Sequence, residues 1–161
     1  MTVISLTWLL TSTVDAEYNS NSSLEDLSIE LSVRAQNAVN NGVSLTFDCD
    51  FAHLESFLFL VIPRNKKHHR FTLTRHTLSN RYIVKRDNLD TPHMFRTIPE
   101  ASNYIVMQAI GLLEFYSETD ANRKMRLSLN KYELPSPMRL PAFIFNEWDL
   151  DTGWVKWEFE S

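Results

Sequence analysis

The sequence predicts a mainly β domain with some helix: an antiparallel sandwich or strongly bent sheet of about seven to nine strands, with one long and one short helix. Three observations carry this expectation. Apolar and polar residues alternate in several separate runs, the mark of strands with one buried face. One stretch, Thr97 to about Tyr116, joins a strong N-terminal cap to sustained helical spacing. The chain has 161 residues, 43% of them hydrophobic, which suits one domain (1–161) with a core of its own.

Along the chain, Met1 to Leu10 is largely apolar, and Val14-Asp15-Ala16 has small residues at the spacing of a signal-peptidase site. No Lys or Arg precedes Arg34, so the opening segment reads either as a signal remnant lacking its basic start or as a first strand. Leu27, Ile29, Leu31 and Val33 alternate with Ser28, Glu30 and Ser32, which predicts a strand. A short helix follows over about 34–41, with Ala35, Ala38 and Val39 on one side and Gly42 placed to end it. Val43 to Phe51 alternates again, and the apolar run Phe57 to Ile62 reads as a buried strand, far shorter than the roughly 20 residues of a membrane span.

Leu78 to Arg81 separates the strand-like runs Arg70–Thr77 and Arg81–Arg86 and predicts a tight hairpin. The long helix is expected over about 98–115, with Thr97 as cap, Pro99 in the first turn and Glu100 closing a capping box. Met125, Leu127 and Leu129 mark a further strand. The Leu134-Pro135-Ser136-Pro137 segment interrupts pairing because proline has no N–H to donate. Val155, Trp157 and Phe159 alternate in a last strand that leaves Trp154 on the opposite face.

The order of these features resembles the bacterial domain of unknown function family 4390. The resemblance rests on the helix-plus-strand unit Arg34 to Phe51, the hairpin Phe71 to Tyr82, the Phe95 to Leu113 segment, and the tail from Leu134-Pro-Ser-Pro137 through Trp148 and Trp154 to Phe159, and it covers about residues 11–160. It implies a proteobacterial envelope protein with an N-terminal signal or anchor and no established activity. Genes of such proteins often sit beside those of a membrane histidine kinase pair, which implies a link to membrane signalling. The chain departs from the family where Phe57 to Ile62 replaces a Trp/Tyr-rich stretch. The expected location is the periplasm or cell envelope, or the cytoplasm if Met1 is the true start and residues 1–10 form a strand.

Composition narrows the chemistry. A net charge of −4 gives no overall basic field for nucleic acid. Three glycines cannot build a phosphate-cradling loop, one cysteine cannot build a multi-cysteine metal site, and no Gly-x-Ser-x-Gly elbow is present. Asp48 and Asp50 share the polar face of one strand, as an acid/base or cation pair would, and also as any solvated strand face would. His68, His69, His76 and His93 lack metal-ligand spacing, and His68 and His69 point to opposite faces. Cys49 alternates inward as a small hydrophobe.

No catalytic, cofactor-binding or metal-binding residue is therefore expected, and no cofactor. The expectation is a non-enzymatic domain that binds a protein partner through an exposed sheet face or edge. The alternative is an apolar ligand, such as lipid, between sheet and helix. Trp154 is the candidate anchor. The basic cluster Lys66, Lys67 and Arg70 is the candidate contact for an acidic partner or for peripheral association with anionic headgroups. The oligomeric state is left open.

Overall fold

The computed structural model describes residues 27–57, 59–89, 91–118 and 122–156. Met1 to Leu10 and the pair Trp157 and Phe159 lie outside the described residues. Six antiparallel strands form one sheet, curled into a half-barrel, with three α-helices around it. In chain order these are α1 (Val33–Asn40), β1 (Leu45–Phe57), β2 (Leu60–His76), β3 (Arg81–Arg86), β4 (His93–Phe95), α2 (Ile98–Ser117), β5 (Arg123–Leu129), α3 (Ser136–Ile144) and β6 (Val155–Lys156). The spatial order β4-β3-β2-β1-β5-β6 places β1 at the centre, and α2 carries the chain from the β4 edge across to β5 on the far side of β1.

The strongly bent sheet stands, whereas a sandwich and seven to nine strands are not seen among the described residues. The Leu27–Val33 run accounts for part of the difference. Ile29 and Leu31 are buried and Ser28 and Glu30 exposed, as their alternation requires, but residues 27–32 lie outside the six paired strands, and Val33, expected inward, is exposed in the first turn of α1. Ser32 then starts α1 by accepting a hydrogen bond from the Ala35 N–H at 3.1 Å. Gly42, at φ +86°, ends it in the left-handed region that glycine enters without steric cost.

The long helix begins where expected, with Thr97 Oγ1 accepting the Glu100 N–H (3.3 Å) and the Glu100 carboxylate accepting the Arg96 N–H (2.9 Å). One orphan N–H of the first turn and one N–H just before the cap are thereby satisfied. The third helix, α3, was not anticipated. Ser136-Pro137 is its start, with Pro137 in the first turn where a missing N–H costs nothing.

Leu45, Phe47, Cys49 and Phe51 of β1 face Ile105, Ala109 and Leu113 of α2 in a core shared with Phe71 and Leu73 of β2 and Met125, Leu127 and Leu129 of β5. Burial in this apolar setting pushes the Cys49 thiol far above its ordinary pKa, with Asp50 and Asp87 adding to the effect, so it is an unreactive core side chain. The α1 end is tied to the sheet by Tyr82 Oη donating to Asn40 Oδ1 and by Arg75 donating to the Asn40 carbonyl, both at 2.6 Å.

β1 and β2 outrun their neighbours. β5 pairs with β1 only as far as His53, and β3 pairs with β2 only from Phe71 onward. Beyond these points β1 and β2 continue together as a two-stranded arm, Leu54 pairing with Pro63 and Phe57 with Leu60. At about 3.3 Å per residue the arm reaches roughly 13 Å past the end of β5. The register slips between Phe51 and His53 because Asn65 and Lys66 together oppose Ala52. Asn65 takes φ +51° at this bulge, a conformation asparagine tolerates better than most residues. The Phe57 to Ile62 run is thus not one buried strand: it spans the turn of the arm, where Phe59 is fully exposed.

Candidate functional site

The outer face of the sheet carries a ladder of charge. Asp48 and Asp50 share that face, and register brings Arg70 and His68 of β2 beside them on one side and Ser128 and Arg126 of β5 on the other. Arg70 Nε donates to Asp48 Oδ1 at 3.2 Å and its Nη1 pairs with Glu133 at 2.8 Å. Asn130 Nδ2 donates to Asp48 Oδ2 at 2.7 Å. His68 Nδ1 lies 2.9 Å from Asp50 Oδ1, and its Nε2 lies 3.5 Å from Asp48 Oδ1. Arg126 pairs with both carboxylate oxygens of Asp151, Nε lying 3.0 Å from each. Asp48 thus meets Arg70 of β2 and Asn130 just past β5, and Asp50 meets His68 of β2, contacts that join neighbouring segments of the sheet.

Burial by itself would raise the Asp151 carboxyl. Hydrogen bonds from Arg126 and from the Gly153 N–H outweigh this and hold it below the ordinary carboxylate value. A folded-state value lowered in this way stabilises the fold above the unfolded value of about 3.9, and the contribution is lost as pH falls through the folded value. Denaturant unfolding of the parent and Asp151→Asn should therefore differ at pH 6 and converge as pH falls below the ordinary carboxylate range. A gap that holds constant across that range would show that the pair does not set the carboxyl.

Beside the ladder is a cleft of about 420 Å³, lined by Asp48, Arg126, Ser128, Asn130, Lys131, Tyr132, Phe143, Asp149 and Asp151. One wall continues into an apolar face. α3 buries only Ala142, and Leu140, Phe143 and Ile144 stand outward on one stripe of it. The Phe143 ring lies 5.0 Å from that of Tyr132, and Lys131 Nζ lies 5.7 Å from its centroid. Phe145 lies under the Arg34 guanidinium at 5.3 Å. The charges at its rim are paired, Arg34 with Glu147 at 2.9 Å and Lys131 with Asp149.

The residues expected to contact a partner do not converge. Lys66 and Lys67 are exposed on the edge of β2 at the base of the arm, whereas Arg70 is half-buried in the ladder. The cluster lies within β2, several residues from the turn. Trp154 is half-buried, less open than the anchor anticipated, and Val155 beside it is buried as expected. His68 and His69 do face opposite ways, His68 to the ladder and His69 to a 2.8 Å hydrogen bond with Tyr116 Oη on α2.

The α3 face was missed because its residues were read only as an interruption by proline. The signal was present in Ser136-Pro137 followed by Leu140, Phe143 and Ile144 at helical spacing. Among the described residues, no group of three or more His, Cys, Asp or Glu side chains is placed to hold a metal, and no helix is long and apolar enough to cross a membrane.

Neither curated proteins nor solved structures yield a match to the chain. A family model does match, over residues 13–158, and with nearly the whole chain covered the protein belongs to the family described as Domain of unknown function (DUF4390).

Proposed function

We propose that this chain is a non-enzymatic binding domain of the bacterial cell envelope that docks a protein partner on the outward face of α3. The observation that carries the reading is the exposure of Leu140 (70%) and Ile144 (62%) beside Phe143 and Phe145, on a helix that buries one residue. An apolar centre within a rim of balanced ion pairs is the anatomy of a protein interface.

The open sheet edge is a weaker candidate. Pro63, the bulge at Asn65–Lys66 and the lysines on that edge of β2 are devices that discourage strand addition. A ligand between sheet and α2 would have to part Phe47, Leu127, Ile105 and Leu113, all closed from solvent.

Photocrosslinking tests the reading. A photoreactive residue at Ile144 should give a reproducible envelope adduct that the same residue at Met107, exposed on α2, does not. Ile144→Asp should weaken capture of that partner by roughly 30-fold or more, as loss of a hot spot does. Unfolding stability should stay within about 0.5 kcal/mol of the parent, as for surface substitutions generally. Identical adducts from both positions would remove the proposal.

A further inference from the structure

We infer that the β1–β2 arm is a docking element for an anionic lipid surface, separate from the α3 face. From Leu54 to Lys67 the arm and the uncovered edge of β2 at its base carry Arg64, Lys66 and Lys67 against the single carboxylate of Glu55, in a chain whose net charge is −4. Glu55 is committed to Arg64 at 3.3 Å. Lys66 and Lys67 are exposed and make no ion pair with any described residue, unlike the basic groups beside α3. Ahead of them stands Phe59, fully exposed at the end of the arm.

The base of the arm is held firm. His69 stacks on Tyr116 at 6.0 Å, Arg123 lies 5.7 Å over that same ring, and Arg123 Nη1 donates to the Asn65 carbonyl at 3.4 Å. A rigid projection with an aromatic end and uncompensated lysines behind it complements a surface that is negative outside and apolar beneath. An apolar groove on a protein partner would not explain the lysines. An acidic protein would not explain Phe59.

Geometry sets the orientation. Arg64 is five residues from Phe59 and Lys67 eight, so at about 3.3 Å per residue they lie roughly 16 and 26 Å behind it. That is too far for an upright arm to engage headgroups with both ends. The arm therefore lies along the surface, Phe59 turned into the acyl boundary and the lysine ammonium groups among the phosphates.

The full chain is tested with vesicles of phosphatidylglycerol and phosphatidylcholine, and with vesicles of phosphatidylcholine alone, at low and high salt. Binding should require the anionic lipid and fall with salt. Lys66→Gln with Lys67→Gln should weaken it roughly 30-fold, each lysine contributing about fivefold. A polarity-sensitive fluorophore on Phe59→Cys, where buried Cys49 does not compete for label, should shift to the blue on anionic vesicles only.

Equal binding to neutral vesicles, or a label at 59 that stays in water while the chain binds, overturns the inference. Dependence on the lysines without dependence on Phe59 also overturns it and assigns the patch to an acidic macromolecule. Ile144→Asp should leave vesicle binding unchanged, so failure here and failure of the α3 proposal are distinguishable.

Discussion

Phe47→Ala should lower the unfolding free energy by about 3–5 kcal/mol, the range for an aromatic truncated in a closed core. Phe47 is wholly buried on the central strand, and its register neighbours are Phe71 on β2 and Leu129 on β5. Both flanking strands are hydrogen-bonded to β1, and α2 covers the face, so the walls of the cavity have little freedom to collapse. For a domain of this size each kcal/mol moves the melting temperature by about 2–4 °C, which predicts a fall of roughly 6–20 °C. Denaturant titration should show an earlier midpoint with the slope preserved. A loss under about 1.5 kcal/mol would mean that the sheet closes over the deletion, contrary to the packing described.

Asp48→Ala should cost about 2–3 kcal/mol although the residue lies on the solvent side of the sheet. Its carboxylate accepts from Arg70 and from Asn130, and its side chain is 21% exposed, so truncation leaves both donors short of a partner in a partly dry setting. Asn130 also accepts the Tyr132 N–H at 3.1 Å, capping the turn at Lys131–Glu133 that leads into α3. The effect should therefore spread to the α3 face. A double-mutant cycle of Asp48→Ala with Asn130→Ala should give a coupling of about 1 kcal/mol or more by denaturant unfolding. Simple additivity would show that the 2.7 Å contact carries no energy.

How legible these features were in the sequence follows from the range of the forces involved. The long helix, read as about 98–115, runs Ile98–Ser117, and the short one, read as about 34–41, runs Val33–Asn40. In each case the cap lies within three residues of the N–H it satisfies, so the signal is local. The inward placement of Phe47, Cys49 and Phe51 follows equally directly from the period of two. Leu27–Val33 shows the limit of that signal. Alternation reports which side chains are buried, and here α2 and the 149–152 loop line the same surface clefts as that segment. It says nothing of whether a neighbouring strand is present to pair.

The basic cluster marks another limit. Lys66, Lys67 and Arg70 are close in sequence, but Arg70 is taken up by Asp48 and Glu133 while the lysines lie on the edge of β2 that β3 does not reach, and only the length of β3 decides which stretch of that edge stays open.

The sequence by itself determined a β-rich domain of the DUF4390 family, its two helices nearest the sheet core, and the shared face of Asp48 and Asp50, because caps, periodicity and strand pleat act over a few residues. Tertiary structure alone decided that Asp48 would meet Asn130, 82 residues away, that β1 and β2 would outrun their neighbours, and that α3 would present its apolar stripe to solvent. Those outcomes depend on strand order, register and the curl of the sheet. These are set by the sum of many distant contacts, none of which leaves a pattern along the chain.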